Sequence, residues 1–379
     1  MDLSLTELQQ LLQNQAREFL DAELPKARVL EIDESEKGFD ADLWQKISEL
    51  GWPAMVIPEE YGGSGNSWTD LGVVYEVLGQ YACPSPHLSS SVICAQLILN
   101  AANDEQKHSI LPGIASGEQI YAFAYTEASY GWAPSNVTLS AKSNGDGYVL
   151  NGTKLFVHDA NVADKLIVAA RTEISSNSED GIGLFIVDAN DAGVSIRTQT
   201  GWIGPKVAEV IINNVKVNSS DVLGSPGNAW PAIETAMDCG TAMLNLYMAG
   251  GTQRVYEMAR DYSQERMAFG VPIGTFQRVQ DHVIDALNAA DAGKWTGFEA
   301  ASYLDEGIPD YKNAISLSKS VVSDGFPLAC DASHHVHAGI GADLNYGLTQ
   351  YTKRARTLQH YLGDSIYHRK RMASLLIKK

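Results

Sequence analysis

The chain has 379 residues, 45% hydrophobic and 20% charged, with 33 Gly, 13 Pro and 4 Cys; this excludes collagen, long disorder and a disulfide scaffold, and allows two or three cored domains. Its 28 Lys and Arg face 46 Asp and Glu, and a net charge of −18 excludes a general nucleic-acid surface, which needs basic stripes. No apolar run approaches the roughly 20 residues of a membrane helix.

The first segment, MDLSLTELQQ, has neither the basic nor the apolar region of a signal peptide. Ser4-Leu5-Thr6-Glu7 has the form of a capping box, and Leu8, Leu11, Leu12, Phe19 and Leu20 recur at the spacing of one apolar helical face. Asp40 is placed to cap a short second helix with Leu43, Trp44, Ile47 and Leu50 inward and Gly51 as its stop. A turn-rich loop at 58–65 precedes helices at 69–80, 88–101 and 103–115. From about 120 to 224 the period changes to that of strands, at 121–126, 137–142, 148–151, 165–171, 182–188, 193–199 and 208–217. Asn144-Gly145-Asp146-Gly147 is a hairpin turn between two of them. Seven short strands at this spacing predict a compact barrel or sandwich. Long helices follow, at roughly 228–266, 275–304, 309–331 and 345–376. The expected fold class is therefore α+β: an N-terminal helical domain (1–118), a small middle β domain (119–226) and a C-terminal bundle of long helices (227–379). Cys83, Cys94, Cys239 and Cys330 show no CxxC spacing, which predicts free thiols in a reducing cytoplasm.

Several strings say more than their periodicity. In the first domain they are Glu49-Leu50-Gly51-Trp52, Pro58-Glu59-Glu60-Tyr61-Gly62-Gly63-Ser64-Gly65, Asp104-Glu105-Gln106-Lys107, Leu111-Pro112 and Gly117-Glu118. The middle domain adds Tyr121-Ala122-Phe123-Ala124-Tyr125-Thr126-Glu127 and Gly145-Asp146-Gly147-Tyr148-Val149-Leu150-Asn151-Gly152-Thr153-Lys154. The bundle adds Glu265-Arg266-Met267-Ala268-Phe269-Gly270, Pro272-Ile273, Phe276-Gln277 and His335-Val336-His337-Ala338-Gly339-Ile340-Gly341. In this order over almost the whole chain, they resemble the acyl-CoA dehydrogenase family.

The resemblance implies FAD and an acyl-CoA: a carboxylate base takes the α-proton while the β-hydride passes to flavin N5. A backbone N–H and a flavin ribityl hydroxyl stabilise the developing enolate. It places Phe123, Tyr125 and Thr126 on the flavin-binding strand. As an isolated residue Thr126 reads as an ordinary β-branched strand residue; within its block it reads as a flavin contact. Phe156 stands where the family carries a ring-stacking tryptophan, and His158 replaces the Thr or Ser beside N5. Where the family reads Gly-Ser-Asp, with the serine on the FAD pyrophosphate, this chain has Gly131-Trp132-Ala133, and an indole offers at most one N–H.

In the family FAD lies across a subunit interface, with its ADP half held by the neighbouring subunit. Arg266, Phe269, Phe276, Gln277 and the His335–Gly339 backbone match that gripping set. Arg266 has the planar fork that suits pyrophosphate, His335 replaces a glutamine, and Gly339 and Gly341 permit close backbone approach. His335 and His337 share a face only if extended, and no third ligand has motif spacing, so no metal is expected.

The family's base occupies one of two positions. One follows Tyr361 and precedes Gly363, and falls on Leu362; the other lies 26 residues before Arg266 and falls on Gly240. Neither accepts a proton. Asp238, rotated about 200° from residue 240 on a helix, and Asp364 are the weak candidates, each more simply a solvated helix residue; Glu234 lies further upstream. The losses at Trp132, His158 and the base fall on one half of the site. That pattern, with Gly339-Ile340-Gly341 through Tyr351-Thr352-Lys353-Arg354-Ala355 and Tyr367-His368-Arg369, resembles the paired α2β2 dehydrogenases of bacterial steroid side-chain breakdown. The expected function is thus the base-less subunit of a heterotetrameric acyl-CoA dehydrogenase for a bulky, steroid-derived acyl-CoA. The expected partners are a second acyl-CoA dehydrogenase-like subunit and an electron-transfer flavoprotein. The alternatives are a self-sufficient homotetramer with a displaced acid, and a flavin-free, non-catalytic subunit.

Overall fold

A computed structural model describes residues 4–199 and 205–377. Six α-helices open the chain: α1 (Glu7–Glu23), α2 (Lys26–Glu34), α3 (Ala41–Glu49), α4 (Trp68–Gln80), α5 (Ala95–Ala101) and α6 (Asp104–Ala115), with a π-helical stretch, Leu88–Cys94, leading into α5. The capping box sits two residues later than the sequence suggests. The Gln9 N–H donates to Thr6 Oγ1 (3.2 Å) and the Thr6 N–H to Gln9 Oε1 (3.1 Å). The buried face shifts with it to Gln9, Gln13, Ala16 and Leu20, leaving Leu8 (47%) and Leu11 (65%) exposed. Asp40 caps α3 as expected, accepting from the Leu43 N–H, whereas α2 has too little apolar periodicity to announce itself in the sequence.

The middle strands are β1 (Tyr121–Ala124), β2 (Ser140–Asn144), β3 (Gly147–His158), β4 (Lys165–Arg171), β5 (Ile182–Asp188), β6 (Val194–Thr198), β7 (Val207–Asn218) and β8 (Val222–Leu223). They join one mixed sheet in the order β6-β7-β3-β2-β4-β5-β8, with β1 pairing parallel to β4. The strand expected at 148–151 is the first third of β3. That strand continues to His158 against β7, with its register broken between Lys154 and Val157. This irregularity turns Phe156 outward at φ +53°, a means of re-aiming side chains near functional sites.

The bundle consists of α7 (Trp230–Glu265), α8 (Gln277–Asp305), α9 (Tyr311–His337), α10 (Leu348–Leu358) and α11 (Ser365–Ile377); a short hairpin, β9 (Met267–Ala268) and β10 (Val271–Pro272), lies between α7 and α8. The single helix expected at 345–376 breaks at Leu362 (φ +59°) and Gly363 (φ +102°), and α9 carries His334, His335 and His337, so the extended backbone that would put His335 and His337 on one face is not formed. Helices α4 and α7 touch backbone to backbone: a Cβ on Gly79 would lie 1.9 Å from the Tyr247 carbonyl oxygen, and one on Gly250 1.9 Å from that of Glu76. One continuous apolar core joins the N-terminal helices to the bundle, and a second lies within the sheet. The ends of β1 and β3 meet the α10–α11 loop where these layers join.

Candidate active site

Four segments converge at that junction: β1 with its exit loop, the bulged end of β3, the Gly131 loop, and the α10–α11 loop. A buried ion pair fixes the first two to each other. Lys154 Nζ donates to Glu127 Oε1 (2.7 Å) and to the Tyr125 carbonyl (2.9 Å), while Glu127 also accepts the Thr138 and Leu139 N–H groups (both 2.9 Å). Burial lowers the lysine to about 8, whereas Lys154 and the hydrogen bonds hold Glu127 below its usual range against its own desolvation. The α10–α11 loop is pinned from behind. Lys319 Nζ donates to the carbonyls of Leu358 (2.8 Å) and Gln359 (3.4 Å) at the negative end of α10, and His368, kept neutral by burial, donates to the Leu362 carbonyl (2.9 Å).

Inside this frame the aromatic side chains close on one another. Trp132 is buried and stacks on Tyr125 (centroids 5.7 Å, planes 2° apart), and its edge meets Tyr361 at 5.9 Å. His158 stacks on Tyr361 at 3.7 Å, and burial lowers its imidazole to about 4, leaving it neutral. Phe123 packs on Tyr125 (5.6 Å). Thr126 is 4% exposed, its carbonyl accepting the Leu155 N–H at 2.8 Å. Phe156 is displaced to the rim, where it meets Tyr130 edge-on at 5.7 Å. The cavities left measure about 90 Å³, bordered by His158, Asp159 and Tyr361, and about 30 Å³, bordered by Trp132, Asp238 and Leu362. Small-molecule sites span roughly 300–1,000 Å³.

The two positions expected to offer a base face each other. A Cβ on Gly240 would lie 3.4 Å from Leu362 Cδ1 and 2.6 Å from Ile93 Cγ1, and Leu362 is 3% exposed. Asp238 is not the solvated residue its helical position suggests. It is 3% exposed and clamped by Arg371 (Nη1–Oδ1 2.6 Å, Nη2–Oδ2 2.9 Å), so both oxygens are engaged. Glu234 accepts from Lys312 (2.7 Å) and Arg371 (3.4 Å). Asp364 caps α11 through the Tyr367 N–H (2.8 Å). Sequence reasoning missed a third acid, Asp159, which borders the larger cavity, accepts from Ser89 Oγ (2.5 Å) and is pushed up to about 6 by burial. Its place directly after the last residue of a strand was the only available signal.

At the other end of the bundle the residues that the resemblance assigns to the ADP half gather around the first turns of α8. Arg266 ends α7 with its side chain exposed and, among the described residues, no ion-pair partner. The β9–β10 turn is Phe269 (φ +53°) and Gly270 (φ +83°); it lifts Phe269 into solvent, 98% exposed, where its ring meets Phe276 (37% exposed) edge-on at 6.2 Å. Gln277 opens α8, and on the same helix His282 stacks on His335 of α9 at 4.8 Å, beside a cleft of about 420 Å³. A Cβ on Gly339 would meet open space, whereas one on Gly341 would meet His334 and His337 at 3.0 Å, so Gly341 serves internal packing. His334 hydrogen-bonds Thr352 Oγ1, and His337 the Ser333 carbonyl and Tyr346 Oη (each 2.8 Å). Among the described residues no group of three or more His, Cys, Asp or Glu side chains is placed to hold a metal, and no helix is long and apolar enough to cross a membrane.

Comparison with known proteins gives three family matches in register with the chain: "Acyl-CoA dehydrogenase, N-terminal domain" over residues 6–118, "middle domain" over 122–215 and "C-terminal domain" over 227–377. A relative in Bacillus subtilis, "Probable acyl-CoA dehydrogenase YngJ", is 29% identical with both chains fully covered. The structure of butyryl-CoA dehydrogenase from Megasphaera elsdenii superposes with a TM-score of 0.91 at 25% identity over the full length of both chains. A chain of the ChsE4–ChsE5 complex from Mycobacterium tuberculosis, also fully covered, superposes at 0.87 and 25% identity.

Proposed function

Because this chain belongs to the acyl-CoA dehydrogenase family, whose oxidoreductases bind FAD, we propose that it is the base-less subunit of an enzyme assembled from two kinds of chain. It grips the ADP half of a flavin whose ring lies in its partner, and the partner supplies the base. The observation that carries this reading is the one-sidedness of the site. Where a flavin ring and a thioester would lie, the residues do not fit the group: layers need about 3.5 Å each, and the His158–Tyr361 stack leaves 3.7 Å between ring centroids. At the α8 end the residues do fit, since a nucleotide pyrophosphate requires a free cation, an exposed ring and unhindered backbone. Arg266, Phe269 and Gly339 provide them.

When bound, the flavin accepts hydride from the acyl-CoA. This chain's contribution is to hold the anion at Arg266, to cover the adenosine with Phe269 and Phe276, and to keep water from the junction. Its own N-terminal region suits CoA poorly, because residues 1–118 hold 19 of the 46 acids and only 6 of the 28 basic residues, which repels a polyanion. A partner of different sequence follows from the missing acid, and the ChsE4–ChsE5 complex is a fold relative made of two chains. The bulky, steroid-derived acyl group and the electron-transfer flavoprotein as acceptor rest on the sequence resemblance, and the cytoplasmic location on the four unpaired cysteines.

The test is purification of the chain alone and together with the product of an adjacent acyl-CoA dehydrogenase gene, followed by flavin spectra and turnover. The expected result is a colourless, inactive chain and a yellow, active complex. Full flavin loading and turnover by the chain alone would overturn the reading, and a complex without flavin would make the chain a non-catalytic subunit.

A further inference from the structure

Positive φ at non-glycine residues concentrates around the closed junction. Of the eight such residues described, Tyr130 (+40°), Phe156 (+53°), Asp159 (+58°) and Leu362 (+59°) all border it. Strain of this kind gathers where a backbone is shaped around a ligand. Here the backbone keeps that shape while the space it encloses is filled from within. Two side chains do most of the filling: the Trp132 indole lies between Tyr125 and Tyr361, and the His158 imidazole stacks on Tyr361. The fit is imperfect in a telling way. The Trp132 indole N–H and His368 Nδ1, both buried, find no hydrogen-bond partner, although both border the 30 Å³ void. A core shaped only for stability would leave neither.

We propose that Trp132 and His158 form an internal plug that occupies the flavin-ring space of this chain, so that it folds without a flavin. The filling is read from ring contacts and cavity volume; that the filled space is a flavin ring's rests on the reading above. Tyr361 acts as the sealing residue, held by the loop that Lys319 and His368 pin, and a ring-sized ligand enters only if one of its two ring neighbours, the stacked His158 or the edge-on Trp132, is removed.

The probe is lumiflavin, the tricyclic ring without ribityl phosphate or adenosine, which ignores the α8 end. Titrated into the purified wild-type chain it leaves tryptophan and flavin fluorescence unchanged. The Trp132→Ser/His158→Thr double variant is expected to bind it at least tenfold more tightly than wild type. Should the double variant fail to fold, His158→Thr alone carries the same comparison, because that residue is only half-buried and its loss frees one face of Tyr361. Lumiflavin binding by the wild type as tight as by the variants overturns the plug, as does a folded variant that binds none. A complex with no flavin sinks the two-subunit reading instead, while the lumiflavin comparison still decides the plug.

Discussion

The two halves of the site both combine aromatic rings with residues on left-handed backbone, and differ in what the rings touch. Around Tyr361 they touch one another: Trp132, Tyr125 and His158 exclude solvent, and the largest adjoining cavity is about 90 Å³. Around α8 the Phe269 ring meets one neighbour, Phe276, and is otherwise in water. A bulky residue at positive φ costs about 1–3 kcal/mol. In the closed half Leu362 offsets that cost by burial, and Tyr130 and Phe156 offset part of it by meeting edge-on at the rim, where both stay partly exposed. At the α8 end Phe269 recovers only its edge contact with Phe276. On the two-subunit reading proposed above, the rest comes from what covers that ring in the assembly.

The strongest way to break this contrast is to return an acid to the closed half. Leu362→Glu places a carboxyl where the side chain is 3% exposed and its neighbours are Gly240 and Ile93. The expected cost is about 3–4 kcal/mol in urea unfolding, with the acid neutral rather than ionised, and no turnover gained alone or in complex. Dehydrogenation by the variant chain alone would mean that the junction admits substrate after all. The complementary test strikes the open half. Arg266→Ala removes an exposed guanidinium without an ion-pair partner, so the chain's own melting temperature stays within about 1 °C. The complex should lose FAD affinity about 100-fold, or roughly 2.7 kcal/mol, the scale of a lost charge-assisted hydrogen bond. Unchanged flavin retention on gel filtration would remove Arg266 from the grip.

The layout and the string proposed to grip the flavin are both legible in the sequence because both are local. Helical and strand periods survive in short windows, and Arg266 through Gln277 is a nearly continuous string. It could not show that the two base positions meet, since Gly240 and Leu362 are far apart in the chain and only the packing of α7 against the α10–α11 loop brings them together. Nor could it tell that Asp238 is buried. A rotation of about 200° from residue 240 suggests solvent, and what fills that direction is Arg371 from the last helix. The breaks at Leu362–Gly363 and Lys154–Val157 likewise depend on tertiary packing. The closure itself was half legible: Trp132 and His158 stand out as departures, but the closing partner, Tyr361, does not.

The smallest expected effect uses pH to separate the halves. Burial raises Asp159 to about 6 in the folded chain, against an unfolded value near 3.9. Between about pH 4 and pH 6 the folded state therefore holds a proton that the unfolded state has lost, and the contribution of Asp159 to stability falls as pH rises through that window before levelling above it. Among the described residues its side chain hydrogen-bonds the neutral Ser89. The amplitude should be on the order of 2 kcal/mol, because each tenfold change in proton affinity is worth about 1.4 kcal/mol and residual solvent contact at the side chain reduces the total. Burial lowers the His87 and His158 imidazoles to about 4 and His368 to about 3, so these groups gain stability with rising pH over the same window, and the Asp159 contribution is read as a difference. From pH 4 to pH 7 the stability of the wild type relative to Asp159→Asn, which keeps the shape and cannot ionise, should fall by that amount in urea unfolding. The same fall should appear when the pair is compared in the Arg266→Ala background, because Arg266 lies outside the closed half. A difference that stays constant with pH would remove Asp159 as a buried acid, and one that changes in the wild type but not in the Arg266→Ala background would mean that the two halves are coupled and that the closed one is not an autonomous, self-filled core.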